Sequence, residues 1–178
     1  AVLVLDEKTS LAGLFDRSNI ELKSDDHLGL FSFDLTPEYY VMLKKPFRIH
    51  LADSFAPSAN SPRYLLIHKV EGEGAIAVNA EGKAQEIPRE FILGHWNRKV
   101  SWVYPYKGRD KHLMKGMNIP AVLEVQEALN AIGYRVAPTG VYDESMSHGI
   151  EKFQEDFGLV PDGVIGLRTR ALLYQMVD

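Results

Sequence analysis

The chain has 178 residues, of which 46% are hydrophobic and 25% charged, with a net charge of −4 and no cysteine. That length holds one medium domain or two small ones, and the composition is ordinary for a soluble globular protein. It excludes disulfides, thiolate-bound metal and a cysteine nucleophile, and no run approaches the roughly 18 apolar residues of a membrane span. The opening AVLVLDEKTS is apolar over five residues only. It has neither a basic start nor a cleavage-site pattern, so it does not read as a secretory leader. The chain begins on Ala1 rather than Met and is read as a mature or excised fragment.

In chain order, TSLAGLFDRS reads as a short helix with Thr9 or Ser10 as N-cap. TPEYYVMLKK reads as another, with Thr36 as N-cap and Pro37 at the first helical position. Strand-like runs follow: FRIHLA from Phe47, RYLLIHKVE from Arg63, AIAVN from Ala75 and KAQEI from Lys83. The EGEG between the second and third carries the glycines of a hairpin turn. A short helix PREFILGHW starts at Pro88, and KVSWVY from Lys99 is the last strand. Helices first and strands after predict an α+β domain over residues 1–104 with a mostly antiparallel sheet.

Residues 105–118, PYKGRDKHLMKGMN, mix Pro, Gly and charge without helical or strand period and predict a linker. Four basic residues stand there against one acidic. The plain reading is a solvated connection; the sharper one is a patch for polyanionic envelope polymers or anionic lipid. Over 119–178 the balance reverses to four basic and nine acidic residues, which argues against a nucleic-acid partner. Here AVLEVQEALNAIGY puts Val122, Val125, Leu129 and Ile132 at helical spacing, opened by Ile119 and Pro120 and closed by Gly133. A second helix follows Asp143, with Met146, Ile150, Phe153 and Phe157 in one stripe up to Gly158, and a third runs from Leu167 to Met176. Three helices joined by glycine-rich turns predict a compact helical module over 119–178.

Two turns of that module are phrased alike, TGVYDESM from Thr139 and DGVIGLRT from Asp162. Asp162 is placed to cap backbone N–H groups, Gly163 and Gly166 to take positive φ or close packing, and Thr169 to bond locally to backbone. Phe153 reads as core; Gln154 reads either as a pin for the loop or as a ligand contact. The order Val122, Val125, Gln126, Leu129, Gly133-Tyr134, Thr139-Gly140, Tyr142, Phe153-Gln154, Gly158-Leu159, Asp162-Gly163, Gly166, Thr169 resembles the peptidoglycan-binding type 1 domain. The resemblance covers Ile119 to Met176 and implies peptidoglycan as the ligand. The first half departs from the family phrase, with Thr139 for Asp, Asp143 for Gly and Met146 for Thr. Gln126, Tyr142, Gln154 and Arg168 lie near the turns and are the candidates to line a binding cleft.

The stretch from KPFRIHL to SWVYP resembles the second half of a papain-like, C39-type peptidase domain. That likeness lays the family's catalytic His on Arg63 and its Asp on Asn79, and the first helix offers Ser10 where the Cys belongs. Cysteine-peptidase chemistry needs a thiolate, an imidazole and an orienting third group. Arginine cannot serve as the base, because its pKa lies above about 12. A Ser10–His68 pair is the remaining nucleophile–base reading; the favoured one is a peptidase fold emptied of its chemistry. The six histidines, His27, His50, His68, His95, His112 and His148, show no zinc-site spacing, and no phosphate-binding loop motif occurs. No metal or cofactor is expected.

HLGLFSFDL, YYVMLKKPFRIHL and REFILGHWNRKVSWVYPY, followed by the helical module, are similar to phrases of the general secretion pathway protein A family (GspA/ExeA), in its periplasmic region. That resemblance implies a non-catalytic, self-associating periplasmic anchor on peptidoglycan. It would work with a GspB-type partner so that the type II secretion secretin assembles across the wall. It also implies an ATPase domain and a membrane anchor in a preceding portion, and no membrane contact otherwise. The reading from a different class is a cell-wall hydrolase or peptidase carrying a peptidoglycan-targeting module.

Overall fold

The computed structural model describes residues 3–55, 61–108 and 112–178, and the chain divides into two units, Ala1–Pro105 and Tyr106–Asp178. The first unit opens with helix α1 (Glu7–Ser18). Its N-cap is Asp6, whose carboxylate accepts the Thr9 N–H at 2.8 Å. The cap expected at Thr9 or Ser10 is therefore three or four residues early in the chain, because an aspartate outside the helix offers a charged acceptor to the orphan N–H groups. That hydrogen bond holds the Asp6 carboxyl below its ordinary range.

Strand β1 (Asp26–Asp34) is absent from the sequence-based elements. The helix expected over TPEYYVMLKK shrinks to a single 3-10 turn, Tyr40–Met42. Its apolar residues are used elsewhere. Tyr40 is fully buried, its ring meets Trp96 edge-on at 5.8 Å, and its hydroxyl donates to the Glu73 carbonyl. Tertiary packing overrides a weak local preference there.

The remaining strands are β2 (Phe47–Leu51), β3 (Tyr64–Glu71), β4 (Gly74–Val78), β5 (Ala84–Ile87) and β6 (Trp96–Lys107), with helix α2 (Arg89–His95) before the last. They form one six-stranded sheet in the order β1-β6-β2-β3-β4-β5. The pairs β2–β3, β2–β6, β3–β4 and β4–β5 are antiparallel, and Glu71 faces Gly74 across the EGEG turn. Between β1 and β6, Phe33 stacks on Trp102 at 4.6 Å and Phe31 meets Tyr104 at 5.9 Å. Tyr64 to Ile67 are buried four in a row, as in a strand covered on both faces. Helix α1 supplies one cover: Leu14 joins Leu5, Leu66, Val78 and Val103 in an apolar cluster. Each such side chain contributes roughly 1.5–3 kcal/mol by burial. Gly13 permits the approach, since a Cβ there would stand 2.6 Å from Leu66 Cδ2.

The second unit holds helices α3 (Pro120–Ala131), α4 (Glu144–Asp156) and α5 (Leu167–Met176), as the spacing predicts. Val122, Val125 and Leu129, then Met146, Ile150 and Phe153, then Leu172, Leu173 and Met176 form its core. Helices α3 and α4 end alike: Tyr134 N–H reaches Leu129 O and Leu159 N–H reaches Gln154 O, while Gly133 and Gly158 donate to Asn130 O and Glu155 O. This is the Schellman pattern, with glycine at the position past the cap.

The stretch 105–118 differs from a linker. Pro105–Lys107 complete β6. Leu113 is fully buried and exchanges backbone hydrogen bonds of 3.1 and 2.8 Å with Ile165. Gly116 N–H donates to Tyr142 O at 2.9 Å, and Tyr142 N–H to Met117 O at 2.8 Å. Leu113 supplies the apolar anchor, and the backbone of Gly116 and Met117 ties the stretch to the other turn of the second unit. Residues 109–111 lie outside the described residues.

Candidate functional site

Each turn of the second unit is pinned by one buried glutamine. Gln126 Oε1 accepts Gly140 N–H at 2.8 Å, and its Nε2 donates to Val141 O at 2.9 Å and Thr139 Oγ1 at 3.3 Å. Gln154 repeats this on the other turn, accepting Gly163 N–H at 3.0 Å and donating to Val164 O at 2.8 Å and Asp162 Oδ1 at 3.0 Å. Gln154 Nε2 also reaches Thr169 Oγ1 at 3.2 Å, so that hydroxyl serves the glutamine rather than local backbone. Gly140 and Gly163 sit at φ 76° and 67°, the left-handed region open to glycine. Thr139 replaces Asp without loss of the motif: its Oγ1 accepts Val141 N–H at 3.2 Å, as Asp162 Oδ1 accepts Val164 N–H at 2.9 Å. Tyr142 ties the two turns together, its hydroxyl donating to Gly163 O at 2.6 Å. Burial raises that phenol's pKa far above its usual value.

Three of the four cleft candidates are engaged in these contacts. Gln126, Tyr142 and Gln154 are at most 2% exposed, and they point inward to hold the turns. Arg168 is different. It is exposed on the first turn of α5, beside a cleft of about 430 Å³ that Leu159, Val160, Asp162, Val164, Leu167 and His112 also line. The edge of Gln154 reaches the same cleft. Gly166, at φ −94°, has extended backbone rather than positive φ, and a Cβ there would pack 3.5 Å from the His112 ring.

In the first unit the residues matched to peptidase positions serve other roles. Asn79 is buried, and its Oδ1 accepts the N–H groups of Glu81 and Lys83 at 3.1 and 2.8 Å, closing the β4–β5 turn. Arg63 donates weakly to Pro62 O at 3.4 Å, and its own carbonyl accepts Leu51 N–H at 2.9 Å. Ser10 is fully buried; it donates to Glu7 O and accepts from Arg48 Nη1, each at 3.1 Å. His68 is exposed on β3, so the structure does not present it to the buried Ser10.

Arg48, 2% exposed, organises a centre that the sequence reading missed. Its Nε donates to Ser101 Oγ and its Nη1 to Glu7 Oε1, both at 3.1 Å, and the guanidinium lies 4.2 Å from the Tyr64 ring centroid. Ser101 also meets His50 Nε2 at 2.9 Å. Burial, with Arg48 and Lys99 nearby, pushes the His50 pKa down to about 4. Burial and the Glu7 carboxylate push Tyr64 up to about 12. For Glu7, burial opposes ionisation, but hydrogen bonds from Tyr64 and Arg48 carry its pKa below the usual value. The visible signal was an arginine inside the apolar run FRIHL, which burial permits only with partners. No group of metal-ligating side chains gathers among the described residues, and no helix among them is long and apolar enough to cross a membrane.

The architecture is thus an α+β unit followed by a three-helix module built from two like half-repeats. Residues 118–173, that module, match the family model described as "Putative peptidoglycan binding domain". No curated protein matches the chain. Among solved structures, a periplasmic domain of the EpsAB fusion protein of the Vibrio vulnificus type II secretion system is similar at 18% identity and a TM-score of 0.49, over 96% of this chain and 77% of that one. The SleB N-terminal domain is similar at 31% identity over 36% of this chain and 89% of that one, with a TM-score of 0.35. A peptidoglycan-binding protein from Clostridioides difficile, in complex with glutamine hydroxamate, is similar at 16% identity and a TM-score of 0.36, over 72% and 92%.

Proposed function

We propose that this chain is a non-catalytic, peptidoglycan-binding periplasmic region of a type II secretion assembly factor. The helical unit grips the wall and the α+β unit serves as a scaffold, so that the outer-membrane secretin assembles through the wall. The observation that carries the reading is the family match over 118–173, in a module whose two glutamine-pinned turns are both complete. The secretion context draws on the sequence phrases shared with general secretion pathway protein A. That context also supplies a GspB-type partner, self-association, and a membrane anchor preceding this chain. The absence of catalysis is supported by chemistry at the matched positions. Arg63 is no base at neutral pH, Asn79 spends its side-chain oxygen on a turn, and the Ser10 hydroxyl is held by Arg48.

Incubation of the purified chain with insoluble sacculi tests both halves of the proposal. The account expects the chain in the pellet and no muropeptides or new reducing ends in the supernatant. Release of soluble fragments would favour the hydrolase reading instead. A chain that stays in the supernatant would remove peptidoglycan binding altogether.

A further inference from the structure

We propose that the first unit holds an uncharged, extended stretch of a partner polypeptide in the groove between α1 and the Asn79–Lys83 turn. This goes beyond the peptidoglycan reading and does not depend on it. Two adjoining lobes, of about 700 and 570 Å³, share Leu5, Thr9, Asn79, Ala80 and Glu81, and the second follows α1 as far as Arg17. Asn79 gives this groove a polar group that the fold leaves unused. The residue is 4% exposed, and its Oδ1 is fixed by the N–H groups of Glu81 and Lys83. Its Nδ2 donates to none of the described residues. Among those residues no buried side-chain polar atom lacks a hydrogen bond, so Nδ2 reaches open space, and the space that Asn79 borders is this groove. The amide is a donor of fixed direction on a side chain otherwise enclosed by protein.

The groove also offers main chain. Leu5 exchanges both backbone hydrogen bonds with Tyr64, each at 2.9 Å. In an extended chain the neighbouring residue turns its N–H and C=O to the opposite edge. Those of Val4, which lines the first lobe, have no partner among the described residues. A strand edge and a fixed amide donor in one groove suit an added extended peptide: its backbone pairs with Val4, and one of its carbonyls accepts from Asn79 Nδ2. Charge narrows the occupant. The walls carry Asp6, Asp16 and Glu81 against Lys8, Arg17 and Lys83, a balance that favours neither a polyanion nor a polycation. Asp6 and Arg17 are already engaged, with Thr9 N–H and with Gly82 O, each at 2.8 Å. Peptidoglycan stem peptides fit poorly, because they carry carboxylates and alternate L- and D-residues, whose side chains do not alternate across a strand. A glycan has no repeating amide edge to pair with Val4.

The test titrates the ¹⁵N-labelled full chain with pools of capped L-peptides of about five residues, the length of an ordinary strand. The pools are built from alanine, serine, threonine, valine and glutamine, and the mirror-image D-peptides and soluble muropeptides serve as comparison probes. At least one L-pool is expected to give saturable shifts at Val4, Thr9 and Asn79–Lys83, and the comparison probes none there. Asn79→Asp keeps an oxygen for the Glu81 and Lys83 N–H groups but turns the groove donor into an acceptor. It should weaken the best L-peptide roughly tenfold while leaving the thermal midpoint nearly unchanged. Ala12→Phe, at an exposed position of α1 that lines the second lobe, should weaken binding as well without touching the turn. Where Asn79→Asp fails to fold, Ala12→Phe decides. No shift with any L-pool, equal binding of the D-peptides, or wild-type affinity in the folded variants would overturn the proposal. Muropeptide shifts at these residues would overturn it too, by giving the groove to the wall polymer.

Discussion

Each unit buries a polar centre, and the two are built from opposite materials. The helical unit uses neutral amides: Gln126 and Gln154 satisfy backbone groups of two turns, and neither titrates. The α+β unit uses charge: Arg48, almost fully buried, faces Glu7, Ser10, Ser101 and the ring of Tyr64, with His50 next in line. The amide side chains hold both turns without carrying a buried charge of their own. A buried guanidinium depends on its partners and makes its neighbours' protonation costly. The difference separates a unit whose turns are held by neutral amides from one whose core is sensitive to charge.

The comparison breaks most sharply at Arg48. Arg48→Ala leaves the hydroxyls of Ser10 and Ser101 without their buried donor and opens a cavity, a cost of about 4 kcal/mol. Both tryptophans, Trp96 and Trp102, lie in the first unit. Tryptophan fluorescence during urea unfolding should therefore shift strongly while the module's helical signal changes little. Gln154→Ala should do the reverse. It strips partners from Gly163, Val164, Asp162 and Thr169 for about 3 kcal/mol, moving the helical transition and leaving the tryptophan transition in place. A common shift of both signals in either variant would show that the two centres are not independent.

Acid sharpens the contrast. His50 is held neutral, with a folded pKa of about 4 against 6.5 for the unhindered group. The unfolded chain therefore binds the proton more readily between those values, and stability rises with pH across that window. The stabilisation is complete above about pH 6.5 and fades as pH falls towards 4, on the order of 3 kcal/mol at most. His50→Gln should flatten that part of the tryptophan-detected stability profile; an unchanged slope would mean His50 is not its source. The smallest effect belongs to the altered turn. Thr139→Ala should cost about 1 kcal/mol in the helical transition, and Thr139→Asp should change it by less than about 0.5 kcal/mol. A large loss on Thr139→Asp would show that threonine does something aspartate cannot.

The module was almost wholly legible in its sequence, because helical stripes, glycines past the caps and turn residues are local signals that agree with one another. The roles of Gln126 and Tyr142 were not, and for Gln154 the sequence left a loop pin and a ligand contact both open. A polar residue near a turn reads as a ligand contact until its partners are known, and those partners lie up to 21 residues away. The α+β unit was legible where apolar runs are dense, from β2 to β6. Strand β1 escaped notice although Phe31 and Phe33 alternate with polar Ser32 and Asp34, because Gly29 interrupts the pattern and β1 joins its sheet beside the last strand, β6. The stretch 105–118 misled for the same reason: its charges are local, while Leu113 finds Ile165 more than fifty residues on.

The most direct test of the central claim is a residue-resolved one. The ¹⁵N-labelled full chain would be titrated with soluble muropeptides and its amide shifts followed. The account predicts saturable perturbations confined to residues 106–178 and strongest around Leu159–Thr169. Perturbations centred on Thr9, Asn79 and their surroundings in the first unit would contradict it, as would a spectrum that does not change.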